Sequence, residues 1–333
     1  MRPQEVNKTD YCLQSCIEKP FFNAVHTLLY VIAGAFVLFT VFGNLLVIIS
    51  VCHFKQLHTP SNILVTSLAL SDFLVGLFVM PLHLTFWIES CWLFGVLFCG
   101  MYNYVACHLT SVSVYNVVLI AVDRYFALSN PFLYSRKISL SVMCTVTLLN
   151  WLLSFIYNYF LVDFKGILTN SKQCPGECDV SIGKILNITD LVVVFLFPTA
   201  AIILLYAKIF VIVKRHAGAI RDLTNHRKPA DGKSVCDHVR SESKAAKVFG
   251  ILVSVFLACL VPYYFCTLVA DYISAEQYYL LNFMLTLFYA NSSINPIIYA
   301  LFYPWFKRSI KLILTLHVFN TESTLTNVLT TNS

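Results

Sequence analysis

Charge is scarce in this chain: 12% of its 333 residues are Asp, Glu, Lys or Arg, against 58% hydrophobic. That scarcity excludes an ordinary soluble domain, in which about a quarter of the residues are charged. No catalytic pair and no metal-ligand cluster stands out, so an enzyme is not expected. There is no internal repeat, no pair of broken apolar segments and no series of pore-lining charges, which argues against a transporter or channel. The first residues are polar and lack the apolar core of a cleavable signal, so the first hydrophobic block reads as a signal anchor. Cysteine is missing after Cys266, which removes palmitoylation as an anchor for the C-terminal segment.

What is present is a set of long apolar runs of the length a bilayer demands of helices. Seven are expected, near 26–52, 62–87, 96–128, 138–161, 185–213, 245–270 and 280–302. Basic residues orient them. With the N-terminus outside, only Arg2, Lys8, Lys19, Lys165, Lys172 and Lys184 of the 23 Lys and Arg fall outside. The net charge of +6 then reflects membrane asymmetry rather than nucleic-acid binding. The expected division is an extracellular tail (1–25), a helical bundle (26–302), an amphipathic surface helix (303–317) and a disordered cytoplasmic tail (318–333). The surface helix is read from Trp305, Phe306, Ile310, Leu312, Ile313 and Leu316 interleaved with bases, a pattern suited to the inner leaflet. The stretch 214–244 reads as a mobile intracellular loop whose flanks could extend the helices on either side. Asn7-Lys8-Thr9 is a glycosylation sequon in the outer tail.

Polar residues inside the apolar runs carry the functional signal, because they are costly in hydrocarbon and are expected to face the bundle interior. The seventh run reads Asn291-Ser-Ser-Ile-Asn295-Pro296-Ile-Ile-Tyr299, followed by Tyr303, Trp305 and Phe306. Asp123-Arg124-Tyr125 ends the third run, and Asp72 is a lone carboxylate in the second. Gly43-Asn44, Trp151, Pro198 and Pro262 each mark a further helix. In this order the set resembles rhodopsin-like receptors. The seventh-run spacing N-S-x-x-N-P-x-x-Y-x-x-x-Y-x-W-F resembles the trace amine-associated receptors more narrowly, and the likeness covers roughly residues 16–310.

The resemblance implies an all-α bundle of seven transmembrane helices with a short eighth helix. It also implies disulfides Cys99–Cys178 and Cys16–Cys174, leaving Cys12 and Cys91 to pair or stay free. Ser113, Asn291, Ser292 and Asn295 would surround Asp72 and hold a sodium ion, with a hydrogen-bonded polar core as the plain alternative. Asp123, Arg124, Tyr125, Pro262, Pro296 and Tyr299 would form the switch, with Glu242 as a second partner for Arg124. Implied partners are a small amine, a stimulatory G protein, arrestin, a receptor kinase and membrane lipids. The implied location is the plasma membrane, in the cilia of olfactory sensory neurons. No other cofactor is expected.

Two departures stand out. Amine receptors carry an Asp 18 residues before the Arg of Asp-Arg-Tyr, five helical turns away on the same face; here that position is Ala106. The sixth-helix Cys-Trp-x-Pro reads Cys259-Leu260-Val261-Pro262. Asp190, eight residues before Pro198, lies among apolar neighbours where a carboxylate needs water or a cation. Some fish-type trace amine receptors are similar in lacking the third-helix Asp and carrying one here. The resemblance therefore implies that Asp190 binds an alkylammonium, with Tyr263, Tyr264, Tyr289, Cys107 and Thr110 around it. The alternatives are a non-amine ligand, or an Asp190 that serves a water network or pairs with Lys184. An opsin is set aside because no lysine occurs within Leu281–Phe302.

Overall fold

The structure is a computed structural model that describes residues 24–164, 178, 188–226, 233–269, 275–315, 324 and 328. Asn7, Cys16 and Cys174 lie outside the described residues, as do the Lys184 and Glu242 side chains.

Seven long helices follow one another: α1 (Ala24–His53), α2 (Pro60–Glu89), α3 (Gly95–Ser129), α4 (Leu140–Phe164), α5 (spanning Ile188–Arg215), α6 (Lys233–Val269) and α7 (Ala275–Phe302). A short helix, Pro131–Lys137, joins α3 to α4, and α8 (Pro304–Leu314) follows α7. Six described helices are long and apolar enough to cross a membrane. The seventh, α7, falls short in hydropathy because its middle holds Asn291, Ser292, Ser293 and Asn295. Those four side chains are buried, so the polarity turns inward rather than toward lipid.

Burial separates the helices into an inner frame and an outer ring. In their apolar windows α2 and α3 are 61% and 56% buried, whereas α1 and α4 reach 17% and α5 22%. Two close contacts hold α1 inside this arrangement. A Cβ on Gly43 would lie 3.0 Å from the ring of Pro296, and one on Gly76 would lie 3.0 Å from Thr40. Asn44 donates to the carbonyls of Thr40 and Ser292, each at 2.9 Å, which ties α1 to the kinked part of α7. A second knot joins α2, α3 and α4: Trp151 donates to Ser67, and Ser67 and Asn150 both donate to Asn116.

Helix starts follow local chemistry. Thr59 caps α2, accepting from the Asn62 amide, and Pro60 sits in the first turn where its missing N–H costs nothing. Pro262 and Pro296 lie within α6 and α7 without ending them. π-helical turns interrupt α2 at Val75–Val79 and α5 at Leu191–Leu196. The flanks of 214–244 do extend the neighbouring helices: α5 continues to His226 and α6 begins at Lys233. Hydropathy ends where the bilayer would end, but helix-forming Ala, Lys and Arg carry the backbone further. In α8, Phe306 and Ser309 are buried and Ile310 packs on the core, while Lys307 and Lys311 are exposed. From the tail, Val328 is buried against Phe54 and Leu57.

Candidate functional site

A cavity of about 460 Å³ opens between α2, α3, α5, α6 and α7. Its walls include all six residues expected around a ligand: Asp190, Tyr263, Tyr264, Tyr289, Cys107 and Thr110. Ala106 also lines it, so the small residue at the missing third-helix Asp leaves open space. Cys178 closes part of the wall through its disulfide to Cys99, with Cα atoms 5.6 Å apart across 79 residues of sequence. Cys91 is also disulfide-bonded.

Asp190 is the last residue before the π turn of α5. Tyr157 on α4 donates to its Oδ1 at 3.3 Å, and Tyr115 on α3 donates to the Val193 carbonyl at 2.8 Å. A π turn disturbs the regular helical hydrogen-bond ladder; the Tyr115 hydroxyl gives one of its carbonyls a donor. Neither tyrosine was singled out in the sequence, because a tyrosine on an apolar helix carries no label for its partner. The aromatic wall is continuous. Tyr264 stacks on Phe195 at 4.4 Å between ring centroids, and Tyr263 meets Tyr264 and Phe288 at 5.4 and 5.5 Å.

On the α2–α3–α7 side, further polar residues line the cavity that sequence reasoning missed, among them His83, Tyr102 and Asn282. His83 is buried among apolar neighbours, and its spacing resembles that of an ordinary core residue.

Below the cavity, a void of about 20 Å³ is bordered by Ser113, Asn291, Ser292, Phe256 and Leu260. Such a volume holds about one water. Leu260 is buried, so the chain fills the expected tryptophan position with an aliphatic side chain. Beneath lies Asp72, fully buried, accepting from Ser292 at 2.8 Å and Asn295 at 2.7 Å. The side-chain oxygens of Asn291 and Asn295 are buried with no partner among the described residues. A carboxylate beside two unpaired amide oxygens is a donor set that a hard cation takes, and these residues fit the sodium ion expected there.

At the far end of α3 from the cavity Asp123 and Arg124 are both buried and paired, with Nε donating to Oδ2 at 3.0 Å. Ser61 accepts from Arg124 and donates to Asp123 at 2.8 Å. Tyr134 of the connecting helix donates to Asp123 Oδ1 at 2.6 Å. Burial, and then the charge of Asp123, push the Tyr134 hydroxyl up to about 12, so it keeps its donor proton at any physiological pH. Tyr125 stands apart from this pair: it packs beside Leu128 and Ile209 under the ammonium of Lys208, 5.8 Å from its ring centroid. Tyr299 is buried with its hydroxyl unpartnered among the described residues, facing Tyr303 and Phe306.

Known proteins share this plan. Residues 43–299 match the family described as 7 transmembrane receptor (rhodopsin family). Trace amine-associated receptor 13c of Danio rerio is 36% identical over 338 residues, covering 98% of both chains. Trace amine-associated receptor 1 of Macaca mulatta is 34% identical over 319 residues, with 93% of this chain and 94% of that one covered. Trace amine-associated receptor 8a of Rattus norvegicus is 36% identical over 321 residues, covering 93% and 92%.

Proposed function

The chain belongs to the rhodopsin family of seven-transmembrane receptors, in its trace amine-associated branch, and on that premise we propose that it detects amines through Asp190. It is a multi-pass plasma-membrane protein whose family takes small-molecule ligands and couples to G proteins. The observation that carries the amine reading is a carboxylate in the wall of an aromatic-lined cavity whose third-helix acid is replaced by Ala106. An alkylammonium there gains a charge-assisted hydrogen bond, roughly 1.5–3 kcal/mol net, and π faces that attract cations.

The binding energy acts by population shift: only the ligand's preference for one conformation moves the equilibrium. An ammonium on Asp190 draws on α5 at its π turn, while Tyr263 and Tyr264 couple the ligand to α6. α6 then swings at the Pro262 kink, Arg124 leaves Asp123, and Tyr299 rearranges at the end of α7, opening a cytoplasmic cleft for the G protein. A sodium ion bound by Asp72, Ser113, Asn291, Ser292 and Asn295 would neutralise the buried carboxylate and favour the resting arrangement. The basic-residue asymmetry supports an extracellular N-terminus, with Asn7 glycosylated and Cys16–Cys174 formed there. Family likeness supports a stimulatory G protein that raises cAMP, later capture by receptor kinase and arrestin, and a place in olfactory cilia.

A second reading has a specific observation behind it. Asp190 already accepts a hydrogen bond from Tyr157, so the carboxylate could be structural and the ligand a non-amine. A cAMP reporter in cells displaying the chain or Asp190→Ala, challenged with primary to tertiary alkylamines and neutral isosteres, separates the two. The amine reading expects responses to amines alone, reduced about ten- to a hundredfold in potency by the substitution. Equal dose–response curves for the two proteins would sink it.

A further inference from the structure

A second hollow, of about 560 Å³, lies between the end of α1, the first half of α2 and the first half of α4. Its walls are apolar, with Ile63 and Leu70 on α2 and Leu148 and Trp151 on α4. Leu70 and Leu148 are 39% and 69% exposed, so the hollow opens outward, where the bilayer would be. Two features set it apart from a bare furrow between helices. The first is sulfur. Among the side chains described, the free cysteines are Cys52, Cys107, Cys144, Cys259 and Cys266. Of these Cys52 and Cys144 are the exposed ones, and both open onto this hollow.

The second feature is a hydroxyl. Polar side chains along the wall have partners: Thr66 donates to the Asn62 carbonyl, Thr59 accepts from the Asn62 amide, and Ser67 donates to Asn116 and accepts from Trp151. Thr147 also lines the hollow, and its Oγ1 is buried with no partner among the described residues. Lipid tails alone would fill the apolar walls and leave that hydroxyl unpaired, which costs free energy where no water can reach it. The occupant that fits brings one acceptor to Thr147 and an apolar chain beyond it. Thr147 follows Cys144 by three residues, so the two share a face of α4 one turn apart. Leu148 and Trp151 continue that face, with Trp151 about 10 Å further along the helix than Cys144. A thioester on Cys144 meets both demands, with a carbonyl oxygen for the hydroxyl and a chain for the apolar wall.

We propose that Cys144 is S-acylated by a long-chain fatty acid whose chain lies in this hollow, with Thr147 donating to the thioester carbonyl. The Cys144 thiolate attacks the carbonyl carbon of a long-chain acyl-coenzyme A presented by an acyltransferase. The new Sγ–carbon bond forms as the carbon–sulfur bond to coenzyme A breaks, and the proton from Sγ leaves with the coenzyme A thiol. Cys144 lies four residues into α4, about 6 Å from its start, with Arg136 and Lys137 in the helix just before it. An enzyme at the membrane surface can therefore reach it. The inference rests on the extracellular N-terminus proposed above, because acyl-coenzyme A is a cytosolic substrate.

The test is metabolic labelling of cells displaying the full chain with an alkyne-bearing palmitate. The label is read with and without hydroxylamine, which cleaves thioesters, and an N-terminal tag is probed on intact cells. The native chain is expected to carry a hydroxylamine-sensitive label that falls at least fivefold in Cys144→Ser and stays within about twofold in Cys52→Ser. Deacylation requires the thioester to leave the hollow. Thr147→Val should therefore shorten the label's lifetime in a chase about two- to tenfold, the effect of one hydrogen bond, and Thr147→Ser should restore it. No label, a hydroxylamine-resistant label, or one lost in Cys52→Ser instead overturns the acylation of Cys144. An unchanged lifetime in Thr147→Val overturns the seating of the chain. A tag hidden on intact cells overturns the orientation and the acylation together, whereas an exposed tag without label overturns the acylation alone. Peptide mass spectrometry of the native chain locates the acyl group even if a variant fails to reach the surface.

Discussion

At the scale of single residues, the site is a matter of which atom holds which. The Tyr157 hydroxyl donates to Oδ1 of Asp190, whose carboxylate lines the cavity. Tyr157→Phe keeps the ring and removes the bond. The expected result is amine potency lowered about three- to tenfold, the effect of one hydrogen bond to a charged or neutral partner. In combination with Asp190→Ala, the tyrosine change should have no further effect, since its partner is gone. Additive losses in that double variant would show that Tyr157 acts elsewhere. The sequence made the carboxylate legible, because an acid among valines must have a reason. It hid Tyr157, Tyr115 and His83, whose meaning lies in partners 33, 78 and 203 residues away.

At the scale of elements, periodicity and hydropathy located the helices within a few residues, since apolar length reports bilayer thickness directly. They left open how far α5 and α6 extend past their apolar windows, where the chain is helical without being apolar, and gave no sign of the two π turns, which carry no sequence signal. The α1–α7 seam shows how small residues set an element's position. Gly43 leaves only enough room for the Pro296 ring, which is rigid and cannot yield. Gly43→Ala is expected to lower stability by roughly 1–3 kcal/mol, the usual cost of an extra buried methyl in a packed interface. Thermal melting of detergent-solubilised protein measures it; an unchanged midpoint would mean that α1 moves aside freely.

For the whole molecule, α2 and α3 are the frame and the remaining helices pack around them, so an event at Asp72, in the middle of α2, should be felt globally. Replacing potassium chloride with sodium chloride at fixed ionic strength is expected to raise the melting temperature. The gain should be about 1–2 kcal/mol at concentrations near ten times the dissociation constant, and be absent in Asp72→Asn. Equal curves in both salts would assign the polar core to hydrogen bonding alone. The π turn of α5 has a consequence of another kind. It takes up one residue more than regular helix would over the same rotation, a difference of about 100° at 3.6 residues per turn. Removing Val192 should therefore straighten α5 and leave Asp190 facing the cavity. Surface display and amine responses are expected to persist in that deletion; vanished responses would show that the turn itself is needed to aim the carboxylate. What this receptor answers to is thus buffered against residue count in α5, and a one-codon deletion is absorbed where a substitution of Asp190 is not.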